Sequence, residues 1–179
     1  MAKLRTPVTS QDHIQGLEDA QLTLVEYGDY ECPSCGSAYP IVKRVQRHFG
    51  KQLRFVFRNF PLSEIHPHAE SAAETAEFAA AQGRFWEMHD LLFENQERLS
   101  VALYSEIAKE LGLSQTALLH ALDEGEYKVR VRTDFSSGVR SGVNGTPTFF
   151  INETRHDGAF DYKTLVEALA ERAVSRATP

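Results

Sequence analysis

Cys32 and Cys35 are the only cysteines in the 179 residues, and they sit three apart in Cys32-Pro33-Ser34-Cys35. An apolar run, Leu22-Thr23-Leu24-Val25-Glu26-Tyr27, leads into them, and helix-compatible sequence follows. A sulfur at the start of a helix faces unpaired backbone N–H groups and the positive end of the helix dipole, both of which favour the thiolate. Pro33 suits the first turn of that helix, where no intrahelical N–H bond is forfeited. The spacing puts the sulfurs one turn apart, with Cys32 exposed at the helix cap and Cys35 inward. The chemistry that follows is dithiol exchange: one sulfur attacks and the other resolves. Thiols so placed titrate at about 3.5 to 7.5 rather than about 8.5. With Pro33 lacking an N–H and Ser34 lacking a charge, the expected depression is intermediate.

Three further residue groups bear on this site. Glu26 is a carboxylate inside an apolar strand, six residues before Cys32; buried alone, it would have a raised pKa and could accept the Cys35 proton. The competing assignment pairs it with Arg54 or Arg58 on a neighbouring strand. Thr146-Pro147, after Gly145 and ahead of the strand-like Thr148-Phe149-Phe150-Ile151, could be a cis peptide that holds the Thr146 backbone beside the sulfurs, where an extended substrate could add as a strand and metals would be kept out. A trans proline opening an edge strand is the alternative. His66 and His68, flanking Pro67, could complete a zinc site with the cysteines. They read instead as loop residues ahead of an alanine-rich helix, so no metal and no bound cofactor is assigned.

These residues need a scaffold. The strand at 22–27 is apolar on both faces, as in a sheet covered on both sides. Val42, Val45 and Phe49 fall at helical spacing, with Lys43, Arg44, Arg47 and His48 near the end, Gly50 as a stop and Pro40 expected to kink the helix. Leu53, Phe55 and Phe57 alternate as in a strand, which completes a β-α-β unit and predicts a parallel pair. A long helical stretch follows. Ala69, Ala72, Ala73, Ala76 and Ala80 form one stripe; Phe85, His89, Leu92 and Phe93 a second, with Trp86 and Met88 as core contacts. Leu103, Ile107 and Leu111 form a third, Ser114 caps a fourth helix, and Tyr127, Val131, Phe135 and Val139 continue toward Gly142. Strand 148–151, a turn at Asn152-Glu153, a short strand at 155–157 and a helix capped by Asp161 complete the chain. Residues 1–20 read as an arm without periodicity.

The formal charge of −6, with basic residues scattered among acids, argues against a nucleic-acid or anionic-membrane partner. No apolar h-region opens the sequence and no stretch is long enough to span a bilayer, so the expectation is a cytoplasmic protein, or a periplasmic one if a leader has been removed, acting on thiol or disulfide substrates with a separate recycling partner.

The chain resembles the thioredoxin superfamily, and within it the DsbA-like branch with a helical insertion. Glu26, Cys32-Pro33-Ser34-Cys35, Pro40 and Gly145-Thr146-Pro147-Thr148-Phe149 carry the resemblance. It implies an α/β thioredoxin fold, β-α-β then β-β-α around a mixed sheet, with a core at about 20–61 and 136–175 and an all-helical insertion at about 62–135 in one domain, 1–179. It also implies that Cys32 is the nucleophile, Cys35 the resolving thiol, Pro147 the cis proline and Glu26 the buried acid, with Pro33, Ser34 and Thr146 meeting substrate. Many oxidising relatives carry His in the place of Ser34. The sequence is further similar to cytosolic DsbA-like proteins and to such domains fused to sodium/proton antiporters. Two other activities stay open: a redox-regulated interaction module without turnover, and a glutathione-dependent transferase or isomerase on the same fold.

Overall fold

The computed structural model describes residues 2–177, with side chains through Val174. Among the described residues a five-stranded mixed sheet runs in the order β1 (His13–Gln15), β3 (Leu53–Asn59), β2 (Leu22–Gly28), β4 (Thr148–Ile151), β5 (Thr154–His156). Its centre is β2, parallel to β3 on one side and antiparallel to β4 on the other. The expected β-α-β unit is therefore present, with α1 (Pro33–Phe49) as its crossover. This helix continues through Pro40 and ends at Gly50, whose φ of 51° a side chain would disfavour.

Alternation in the strands sorts the core into two faces. Leu22 and Leu24 of β2 join Leu53, Phe55 and Phe57 of β3 beneath α1, together with Leu165 and Leu169 of α7 (Tyr162–Ala177). Val25, Tyr27 and Val56 face the other way, against Phe60, Val143 and Phe150. Every residue of β2 is buried, which is why its sequence reads as a continuous apolar run.

Five helices lie between β3 and β4: α2 (Ala69–Ala80), α3 (Phe85–Glu94), α4 (Val101–Glu110), α5 (Gln115–Glu124) and α6 (Lys128–Arg140). The alanine stripe of α2 lets neighbouring helices approach closely, with Ala72, Ala76 and Ala79 wholly buried. Met88, Phe85 and Phe93 of α3 are buried as core residues, and Trp86 donates its ring N–H to Ile14 O at 3.3 Å. Ser114 and Asp161 cap α5 and α7 as their spacing suggested; Ser100 does the same for α4.

Residues 2–20 are more ordered than their lack of periodicity implied. His13–Gln15 form β1, which adds antiparallel to the edge of β3. Its anchor is Arg58, whose side chain is 2% exposed and grips Asp12 through Nε at 2.7 Å and Nη2 at 3.0 Å. The same guanidinium donates to Thr6 O, Pro7 O and the Tyr27 hydroxyl. β5 (Thr154–His156) forms the opposite edge. Among the described residues no helix is long and apolar enough to cross a membrane.

Candidate active site

The chain leaves β2 at Gly28 and turns through Asp29-Tyr30-Glu31 into the cysteine motif. Asp29 organises this turn: its carboxylate accepts from Glu31 N at 2.8 Å and its carbonyl accepts from Cys32 N at 3.2 Å. Cys32 then takes extended torsions at the cap position, and Pro33 opens α1. Gln96, from the turn after α3, reaches back to the same place. Its Nε2 donates to Tyr30 O at 2.7 Å and Cys32 O at 2.9 Å. Gly36 permits that approach, since a Cβ there would collide with the Gln96 amide. The sequence offered no signal for Gln96 because its partners are backbone carbonyls more than sixty residues away.

The two thiols are free and differ sharply in setting. Cys32 is 7% exposed and Cys35 is 0% exposed, so only the first can be reached from solvent, and by less than the exposed cap position suggested. Cys32 donates from sulfur to Thr146 O at 3.3 Å. Its pKa is drawn down to about 5 first by the hydrogen bond from Cys35, against the opposing effect of burial. The Thr146 side chain and the backbone N–H groups of Cys35 and Ser34 lower it further. The helix terminus therefore contributes, as expected, yet the neighbouring thiol contributes more. For Cys35 the order is reversed: burial raises its pKa well above the ordinary value, and donating to Cys32 and the charges of Glu26 and Cys32 raise it further. The opposing contribution is the backbone N–H of Asp29, which points at Cys35 Sγ from 3.5 Å.

Glu26 lies on the same face of β2 as the core beneath α1 and is 3% exposed. Neither arginine considered in the sequence pairs with it. Arg54 bonds Thr23 Oγ1 and Glu18 O, and Arg58 bonds Asp12; both stem from the opposite face of β3. Glu26 Oε1 is buried without a partner, and burial, followed by the charge of Cys32, pushes the carboxyl pKa up to about 8.

The Thr146-Pro147 bond is cis, at the start of β4. Thr148 Oγ1 donates to Gly145 O at 2.7 Å and closes the turn. Pro33 and Ser34 are exposed, and Thr146 and Pro147 are half-buried. Cys32, Cys35, Glu26 and Thr146 are thus in mutual contact or electrostatic reach, with Pro33 and Ser34 at the rim. His66 and His68 are each committed to a carboxylate, Nδ1 of the first to Asp29 at 2.7 Å and Nδ1 of the second to Glu31 at 2.9 Å. Among the described residues no three His, Cys, Asp or Glu side chains group as metal ligands. Such a site can hold one sulfur as an anion while its neighbour keeps its proton, which is the arrangement that thiol-disulfide exchange needs.

Comparison with known proteins agrees with this geometry. A family model described as thioredoxin matches residues 8–171. BdbD from Bacillus subtilis, in its oxidised form, superposes with a TM-score of 0.87 at 26% identity over 97% of this chain and 98% of its own. A thioredoxin-like oxidoreductase from Silicibacter pomeroyi gives 0.78 at 25% identity, covering 94% and 93%. The α-DsbA1 protein of Wolbachia pipientis gives 0.80 at 18% identity, covering 96% of each chain, a likeness of fold. In sequence, an antiporter named Na(+)/H(+) antiporter NhaA 1 from Salinispora arenicola is 42% identical over 167 residues, 93% of this chain. The chain spans only 26% of the length of that relative. With its mixed sheet, its helical insertion between β3 and β4 and its match along nearly the whole sequence, the chain belongs to the thioredoxin superfamily, in the DsbA-like branch.

Proposed function

We propose that the protein is a thiol:disulfide oxidoreductase that works through Cys32 and Cys35 on protein or small-molecule disulfides. One observation carries this reading: the reachable Cys32 caps α1 beside the cis Thr146-Pro147 bond while Cys35 lies one turn inward and fully buried, a setting that lowers the first pKa to about 5 and raises the second. At neutral pH the Cys32 thiolate attacks a substrate disulfide, forms a mixed disulfide and releases one substrate sulfur as thiolate. Loss of the Cys32 charge in the mixed disulfide lets Glu26 release its own proton to solvent; the carboxylate then takes the proton of Cys35, which attacks Cys32 Sγ. The bond between Cys32 and the substrate breaks, its electron pair leaves on the second substrate sulfur, and the Cys32–Cys35 disulfide remains. A separate thiol or dithiol partner must then reduce the pair again.

The timing of the proton transfer is supported by the causes of the Glu26 shift. The Cys32 charge helps keep Glu26 protonated, and forming the mixed disulfide removes that charge. Glu26 becomes a stronger acid at the step that requires a carboxylate base. Pro33, Ser34, Thr146 and Pro147 line the approach to Cys32, and the Thr146 backbone is placed to pair with an extended substrate.

Catalytic reduction of insulin, with equilibration of the pair against glutathione buffers, tests the reading: turnover with a reversible two-electron couple is expected, and an inert pair would defeat it. A second reading draws on the similarity to a quarter of the antiporter chains: the cysteines act as a redox switch in a larger assembly, oxidised once per signal without turnover. Rapid stoichiometric oxidation without catalytic reduction would favour that alternative.

A further inference from the structure

His66 is not used by the reaction described above, yet it sits at the end of a short chain of contacts that terminates on the resolving sulfur. Its backbone is fixed by a turn, His66 N to Leu62 O at 2.9 Å, and by Ala69 N, which donates to His66 O at 3.2 Å as α2 begins. Its Nδ1–H donates to Asp29 Oδ2 at 2.7 Å; the Asp29 side chain is wholly buried, while His66 retains 16% exposure. The same Asp29 oxygen accepts from Leu62 N at 2.9 Å, and the other accepts from Glu31 N at 2.8 Å. With both oxygens engaged from three directions, the Asp29 side chain has one orientation. Its own backbone N–H is the group that points at Cys35 Sγ.

We propose that His66 is a positioning residue for the second step of exchange: through Asp29 it holds a backbone N–H on Cys35 Sγ, ready for the negative charge that this sulfur carries when it attacks the mixed disulfide. The inference rests on Cys35 being the resolving thiol. In that step the Cys35 proton has moved to Glu26, the new bond forms between Cys35 and Cys32, and the electron pair of the broken bond leaves on the substrate sulfur. An N–H fixed beside the transient thiolate stabilises it without reorganisation, whereas a donor free to turn away does not. Removing His66 takes one of three donors from this wholly buried carboxylate, leaving Glu31 N and Leu62 N, and frees the Asp29 side chain to shift. The N–H of Asp29, whose peptide stays tied at Gly28 O to Phe60 N at 2.8 Å, then loses part of its aim at Cys35 Sγ. Cys32 is affected differently, because its thiolate depends on Cys35, the Thr146 side chain and the first N–H groups of α1.

The reduced full chain, mixed with Ellman's reagent in a single turnover, separates the two steps. A first thionitrobenzoate is released when Cys32 attacks, a second when Cys35 resolves. His66→Ala is expected to slow the second release by roughly tenfold while the first stays within about twofold. His66→Asn, which returns an N–H donor toward Asp29, should recover most of the loss. Equal slowing of both releases, an unchanged second release, or no recovery with asparagine would each overturn the proposal. Thermal unfolding of both variants accompanies the kinetics; if His66→Ala lowers the midpoint and asparagine restores stability without restoring the second release, the residue is structural and the proposal fails. Absence of the first release in the unmodified protein would instead count against the exchange activity itself.

Discussion

Glu26 lies directly across from Phe57 on the parallel strand β3, so the neighbour of the buried carboxylate in that register is an aromatic ring and not a cation. The side chain is held in an apolar setting with Oε1 unpartnered, and its pKa rises from 4.5 to about 8. Folding therefore disfavours ionisation.

The stability consequence has a definite sign. Below pH 4.5 Glu26 is protonated in both folded and unfolded chains; between pH 4.5 and about 8 the unfolded chain ionises while the folded one keeps its proton, so stability falls as pH rises. Glu26→Gln cannot lose that proton. In the reduced protein the variant should match the parent near pH 4 and exceed it by about 3 kcal/mol at pH 7, at about 1.4 kcal/mol per pH unit. Denaturant unfolding at a series of pH values measures this, and parallel curves for the two proteins would refute it. The same variant should resolve mixed disulfides more slowly.

Cys35 is the first cause of the acidity of Cys32, ahead of the helix terminus. Replacing it by alanine removes the donor and leaves the terminus intact. The pH midpoint for alkylation of Cys32 by iodoacetamide should then rise from about 5 by roughly one to two units, the equivalent of one charge-assisted hydrogen bond. An unmoved midpoint would assign the shift to the backbone N–H groups instead.

Ser34 occupies the second position of α1 and is exposed. A histidine there adds a donor and a partial positive charge beside the thiolate, which stabilises the reduced form. Ser34→His should raise the reduction potential by roughly 30 mV or more. Equilibration with glutathione reads the change directly, and an unchanged potential would remove the exposed dipeptide as a determinant of redox poise.

Arg58 and Asp12 are a buried pair, 2% and 7% exposed at their side chains. Truncation of one partner strands the other, at a cost of about 3 to 5 kcal/mol. Arg58→Met should therefore destabilise strongly, and Arg58→Lys should rescue little, because a single ammonium cannot replace the forked contacts to Asp12, Thr6, Pro7 and Tyr27. Urea unfolding of the three proteins tests both statements.

What the sequence revealed and what it hid divide along physical lines. The cysteine pair, Glu26 and Thr146-Pro147 were legible because each breaks its local pattern: two thiols at helical spacing, a charge in an apolar strand, a proline opening one. The strand-helix-strand unit and the alanine-rich helix were legible by period. β1 was hidden, since three residues carry no periodicity and the strand exists through its pairing with β3 and the grip of Arg58 on Asp12. The alternative pairing of Glu26 with Arg54 or Arg58 fails for a related reason: the parallel register, which puts both arginines on the opposite face, is a property of the assembled sheet. Asp29 and Gln96 were missed because they act on backbone groups whose direction only the fold fixes.

The N-terminal arm has a wider consequence. β3 is a seven-residue strand, six of them buried, with Phe55, Val56 and Phe57 at its centre, and β1 occupies its outer edge with only three residues. Were the arm to detach, that edge would offer a long apolar template to other chains. Aggregation of this protein should accordingly begin from a state in which the Arg58–Asp12 clasp has opened while most of the sheet is still intact, so that storage life tracks the arm more closely than the global melting point.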